Sequence, residues 1–227
     1  MLMLESVSAQ IAGISVLHGI STTFEAGAAI AIVGRNGAGK TTLLRLIMGF
    51  MPHHGGRVLL EGRDLGSVPA RERARLGIGY APEDRVMFPT FSVEGNLRFP
   101  CEVIGMRRAA VDDRLAETLS IVPELEPMLA RSGAALSGGQ GKMAALGRAI
   151  MVGHRLVLLD EPFQGLAPVL AQQYIQSLHR LLAARPELCV VITESNRGLL
   201  KDIPTRTLVL ERGEVQVGEP AGALAGH

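Results

Sequence analysis

Gly34-Arg35-Asn36-Gly37-Ala38-Gly39-Lys40-Thr41 follows an apolar run, AAIAIV at residues 28–33, and precedes a stretch that is apolar at positions 43, 44, 46 and 47. The octapeptide fits G-x-x-x-x-G-K-[ST]. Its flanks supply the context that pattern requires, a strand entering a glycine-rich loop and a helix leaving it, with Gly49 as the helix stop. Glycines let backbone N–H groups curl around phosphate oxygens without Cβ clashes, and the helix turns its positive end to the anion. Lys40 supplies a point charge to the β- and γ-phosphates of a nucleotide, and the Thr41 hydroxyl can ligate Mg²⁺. Gly34, Arg35, Asn36, Gly37, Ala38, Gly39, Lys40, Thr41 and Thr42 are therefore the expected nucleotide-binding residues.

Outward from this loop, residues 156–159 (LVLL) read as a buried strand that ends in Asp160 and Glu161. Asp160 would hold the Mg²⁺ shell. Glu161, one residue on, would orient or deprotonate an attacking water. Further strands are expected at 189–193 and near 207–211. Ile175, Leu178 and Leu182 fall at helical spacing between 165 and 185, and Pro186 closes that segment. Strands alternating with helices predict an α/β domain whose sheet is largely parallel. Residues 84–152 differ. Helix-compatible segments such as 107–121 dominate there, so this stretch reads as a helical lobe inserted into the core. Within it, Ser137-Gly138-Gly139-Gln140 opens a helical stretch and forms a second group of backbone donors suited to an anion.

Composition narrows the choice. The 227 residues carry 23 Lys and Arg against 22 Asp and Glu, and 47% are hydrophobic. Near-zero net charge disfavours a nucleic-acid binder, and the hydrophobic content excludes a disordered chain. The longest apolar run, residues 26–33, is far shorter than the roughly 20 residues a bilayer helix needs. MLMLESVSAQ lacks the basic patch and apolar core of a signal peptide. Cys101 and Cys189 read as buried free thiols. His53-His54 reads as a loop, Arg71-Glu72-Arg73-Ala74-Arg75 as a solvated helix face, and the methionines as packing. Lysines are scarce, only Lys40, Lys142 and Lys201.

The order of the phosphate loop, LSGGQ at residues 136–140 and LLDEP at 158–162 resembles the ATP-binding subunit of an ABC transporter over essentially all of residues 1–227. The resemblance implies a P-loop NTPase nucleotide-binding domain: a mixed α/β sheet core, an inserted helical lobe, and ATP and Mg²⁺ as ligands. It also implies a head-to-tail pair of subunits in which the Ser137–Gln140 loop of one closes on the γ-phosphate held by the other. Transmembrane permease subunits and, indirectly, a solute-binding protein are the further implied partners, with no nucleic acid. The location implied is cytoplasmic, on the inner face of the cell membrane. Gly165-Leu166-Ala167-Pro168 and Tyr80-Ala81-Pro82-Glu83-Asp84-Arg85 further resemble the branched-chain amino-acid (LivF-type) subunits. Phe88 and Phe91 follow that second segment, where an apolar contact with the permease is expected.

Three positions depart from the general ABC pattern. Ile11 stands where an aromatic residue usually stacks on adenine. Glu83 replaces the usual glutamine between Mg²⁺ and the lobe, a substitution LivF-type subunits share, and could still face the cation. Ser195 replaces the γ-phosphate-contacting histidine. Serine carries no positive charge and offers one hydrogen bond if its loop moves in, which predicts a weakened site on this side; in a heterodimer, as opposed to a homodimer, a histidine-bearing partner could supply the stronger one. The alternatives are a urea, amide or other ABC transporter ATPase, a hydrolysis-poor regulatory subunit, or a soluble ABC ATPase of translation or DNA repair.

Overall fold

The structure is a computed structural model that describes residues 1–84, 87–200 and 203–217. Arg85, Lys201 and the last ten residues of the expected 1–227 domain lie outside the described residues. The chain opens with β1 (Leu2–Ile11), β2 (Ile14–Phe24) and β3 (Ala29–Val33), followed by α1 (Lys40–Met48). Next come β4 (Arg57–Leu60), β5 (Arg63–Asp64), α2 (Ala70–Arg75) and β6 (Ile78–Ala81). The helices α3 (Val93–Val103), α4 (Arg108–Ile121) and α5 (Gly138–Val152) follow. Then β7 (Leu156–Asp160), α6 (Pro168–Ala184), β8 (Cys189–Glu194), β9 (Arg206–Glu211) and β10 (Glu214–Val217) complete the core.

Two sheets form. The larger has the order β10-β9-β3-β8-β7-β6, parallel throughout except for β10 at its edge. Its central strands are apolar on both faces because both are covered. Ile30 and Ile32 of β3, with Leu156 and Leu158 of β7, pack toward α1. Ala29, Ala31 and Val33, with Val157 and Leu159, pack toward α3 to α6. The helices of the 84–152 stretch thus share one apolar cluster with the sheet.

The second sheet, β2-β1-β4-β5, is antiparallel and covers the α1 side. The sequence reading found no strand in it. Its signal is broken in β1: Ser6 has φ of 50° and the pairing with β2 shifts register around it, so the buried positions Leu2, Leu4, Val7 and Ala9 slip off strict alternation. α1 ends where expected, with Gly49 in the left-handed conformation at φ 75°.

One expectation is overturned here. Arg73 is not on a solvated face but is 3% exposed. Its guanidinium donates to the carbonyls of Val68, Leu46, Ile47 and Leu65 at 2.6–2.9 Å. α2 turns this one residue of the charged run inward, across the end of α1. The exposed partners in the same run, Glu72 and Arg75, pair with each other at 2.7 Å.

Candidate functional site

The site forms at the carboxyl ends of β3, β8 and β7, which lie side by side in that order. The parallel register sets Val33 against Glu194 and Asp160 against Thr193, so three loops leave the sheet at one level. The first is the 34–39 loop. A Cβ on Gly34 would sit 2.3 Å from the Leu210 carbonyl oxygen, so only glycine lets the loop pass β9. Gly39 has φ of 105° and caps α1 without any side chain, so the first-turn amides face the loop's concavity. Val16, Asn36, Gly37, Gly39, Lys40, Thr41, Thr42, Glu83, Glu161 and Gln164 line a cleft of about 310 Å³ there.

Lys40 is buried and fully engaged. Its ammonium donates to the Gly34 carbonyl (2.7 Å), the Arg35 carbonyl (3.2 Å) and Ser195 Oγ (3.0 Å), and pairs with Glu161 Oε1 at 2.9 Å. Ser195 Oγ lies 2.7 Å from Glu161 Oε1 and 2.8 Å from Asn36 Oδ1. The serine therefore reaches both the lysine and the acid with the loop as it stands. Burial pushes the Glu161 carboxyl up, but the Ser195 hydroxyl and the Lys40 ammonium outweigh it and hold the group below the usual carboxylate range. An ionised acid results.

Glu161 itself sits at φ 46°, a strained setting for a residue with a Cβ. Its N–H donates to the Thr193 carbonyl (3.2 Å) and hydroxyl (3.1 Å), and the Lys142 ammonium donates to its carbonyl. Two of the chain's three lysines thus converge on one glutamate. The sequence reading gave Lys142 no role, although its rarity and its place two residues after Gln140 were visible.

Asp160 is 2% exposed. Its Oδ1 accepts from Thr41 Oγ1 (3.1 Å) and Thr193 Oγ1 (2.8 Å). An all-oxygen set of Thr41 and Asp160, with Glu83 lining the adjoining cleft, suits a hard divalent cation that completes its shell with phosphate and water. Among the described residues no group of three or more His, Cys, Asp or Glu is placed to hold a metal alone.

Other expected residues stand apart from this cleft. Ile11 is 51% exposed at the tip of the β1–β2 hairpin, opposite Ile14, and Val16 rather than Ile11 lines the cleft. Ser137 is exposed and closes a capping box on α5: its Oγ accepts from Gln140 N–H and its N–H donates to Gln140 Oε1. Gly138 lines a second cavity with Glu83, Lys142 and Gln164, while Ser137, Gly139 and Gln140 line neither.

Glu194 was not singled out by the sequence. It is 1% exposed and accepts the Phe163 N–H at 2.8 Å. Burial, together with the charge of Glu161, pushes its carboxyl up to about 7. A carboxyl raised in the folded state binds more protons than its unfolded counterpart, so stability falls as pH rises from its unfolded value toward 7. Glu194→Gln is therefore expected to stabilise the chain at pH 8, on the order of 2–3 kcal/mol, and to have little effect at pH 4.5. Thermal unfolding of both proteins across that range checks it, and equal shifts at the two ends would contradict it.

Comparison with known proteins gives the same pattern. The family profile described as "ABC transporter" matches residues 17–164. The chain is 32% identical to the high-affinity branched-chain amino acid transport ATP-binding protein BraG of Pseudomonas aeruginosa, covering 99% of this chain and 94% of that one. It is 36% identical to the Fe(3+) ions import ATP-binding protein FbpC of Pseudomonas fluorescens, over 96% of this chain but 61% of the relative. A solved ATP-binding cassette of an ABC transporter, in its ADP conformation, superposes with a TM-score of 0.81 at 26% identity, over 96% of this chain and 91% of its own.

Proposed function

The chain belongs to the ABC transporter family, and from that premise we propose that it is the ATP-hydrolysing subunit of an importer for branched-chain or other hydrophobic amino acids. It acts as one of a pair of ATP-binding subunits on transmembrane permease partners, fed by a solute-binding protein. Its proposed place is the inner face of the cell membrane, held there by the permease; among the described residues no helix is long and apolar enough to cross a membrane.

The observation that carries the hydrolytic reading is the position of Glu161, paired with Lys40 and hydrogen-bonded by Ser195 at the edge of the cleft. The 34–39 loop and the start of α1 would bind the phosphates, and Lys40 would leave Glu161 for the β- and γ-oxygens. That exchange frees the Glu161 carboxylate to accept a proton from water aligned on the γ-phosphorus. Thr41 and Asp160 would hold Mg²⁺, which would supply neutralisation of phosphate charge, and Glu83 lines the same cleft as Thr41. Ser137, now spent on its own helix cap, would be offered to the partner's nucleotide. Phe88 and Phe91, 40% and 38% exposed, pack with Phe99 into a three-ring cluster with centroids 4.9–5.5 Å apart. This cluster is the apolar contact proposed for the permease. The cargo assignment rests on Gly165-Leu166-Ala167-Pro168 and on the near full-length match to BraG.

Because each ATP site needs two subunits, hydrolysis by the purified chain is expected to rise with the square of protein concentration below the pairing constant. A rate strictly proportional to concentration would overturn the paired reading. Uptake of radiolabelled leucine by cells lacking this subunit tests the cargo, and unchanged uptake would remove it.

A further inference from the structure

Tyr80 is one of two tyrosines in a chain without tryptophan. It lies on β6, whose parallel register with β7 sets it opposite Leu158. From there its hydroxyl donates to Asp160 Oδ2 at 3.1 Å. Asp160 Oδ1 is meanwhile held by the hydroxyls of Thr41 and Thr193. The two carboxylate oxygens are thus fixed from opposite edges by different elements: α1 and β8 on one, β6 on the other. Without the tyrosine, the threonines would still grip one oxygen, but the plane of the carboxylate could rotate about it.

Arg45 stands beside Tyr80. The tyrosine ring stands 5.9 Å from that of Phe50 in the wall of an apolar groove of about 560 Å³ that Arg45 also lines. Tyr80 therefore has one face in the groove and its polar end on the acid. Ring packing alone would be served equally by phenylalanine; the hydroxyl needs a separate explanation.

We propose that Tyr80 is the positioning residue of the magnesium carboxylate: its hydroxyl fixes Asp160 through Oδ2 and keeps Oδ1 turned to Thr41. The inference rests on the reading of Asp160 as the Mg²⁺-holding acid. Partners of this kind orient metal-ligating carboxylates, and losing one typically weakens the metal by about tenfold or more.

The test compares wild type, Tyr80→Phe and Asp160→Asn. Mn²⁺ binding is measured by electron paramagnetic resonance in the presence of a non-hydrolysable ATP analogue, and analogue binding is measured without metal. Tyr80→Phe is expected to weaken Mn²⁺ about tenfold and to raise the Mg²⁺ needed for half-maximal turnover equally. Metal-free analogue binding and the melting temperature should stay at the wild-type values. Wild-type Mn²⁺ affinity in Tyr80→Phe, with affinity lost in Asp160→Asn, would overturn the tyrosine's role and leave the acid's intact. Unchanged affinity in both variants would overturn the reading of Asp160 itself. A loss in Tyr80→Phe that appears equally without metal would mark the hydroxyl as merely structural and would also overturn the proposal.

Discussion

Glu161→Gln is expected to lower ATP turnover by roughly 10²–10⁴-fold while ATP binding is retained or tightened. The variant keeps the shape of the side chain and removes only its charge. Three contacts give that charge its value. Lys40 Nζ and Ser195 Oγ lie at 2.9 and 2.7 Å from Oε1, and the Ser195 N–H donates to Oε2 at 3.2 Å. Together they keep the acid ionised, which a proton acceptor must be. The backbone below it, held at φ 46° by Thr193 and Lys142, does not depend on the charge and should survive the change. Binding should not suffer because glutamine no longer competes with phosphate for the Lys40 ammonium. Product formation and nucleotide binding, measured on the same preparation, separate these effects; a turnover within a few-fold of wild type would show that Glu161 is not the proton acceptor. In the assembled transporter, the same substitution made here and at the partner's equivalent acid reads the consequence of Ser195. Unequal losses are expected if a histidine-bearing partner holds the stronger site. No loss from the change in this chain would favour a regulatory, hydrolysis-poor subunit.

Arg73→Ala is expected to destabilise the fold by about 3–5 kcal/mol, a large part of a typical domain's margin. The guanidinium is 3% exposed and spends its planar fork on four carbonyls. Two of them, Leu46 and Ile47, belong to the last turn of α1, where helix carbonyls lack intrahelical donors. Leu65 and Val68 belong to the segment before α2. Alanine would leave a cavity and strip these acceptors; Leu46 and Leu65 keep a second donor in the Gly49 and Val68 N–H groups, the other two lose more. Lysine is not a substitute, because one ammonium on a flexible stem cannot meet four fixed carbonyls. Gly49 is tied to the same feature: a Cβ there would stand 2.7 Å from Arg73 Nε. Urea unfolding measures the loss. A midpoint near that of wild type would show the fork to be dispensable. Since α1 begins at Lys40, loosening its far end should also weaken nucleotide binding.

The contrast between these two residues shows which features local sequence carried. The phosphate loop, Asp160 and Glu161 were legible because their chemistry is local. A strand end, a glycine turn and a helix start follow one another within a few residues, and each leaves a compositional mark. The same holds for β3, β7, β8 and β9, whose apolar runs are continuous because both faces of the sheet are covered. The antiparallel sheet was not legible, since the irregularity at Ser6 breaks the period of two in β1. Nor was Arg73: in a run of alternating charges nothing local says which residue faces inward.

The sequence by itself determined where the glycine-rich loop leaves β3 for α1, which acids end the buried strand β7, and which family pattern they spell. Only the tertiary structure decided which groups act on them. Thr193, Glu194 and Tyr80 come from distant parts of the chain and meet Asp160, Glu161 or the strand ends beside them only because parallel strands bring their carboxyl ends to one level, while Lys142 reaches Glu161 from α5 packed beside them. Hydrogen bonds across that level join residues as many as 159 positions apart, and such pairings leave no periodicity for a linear reading to find.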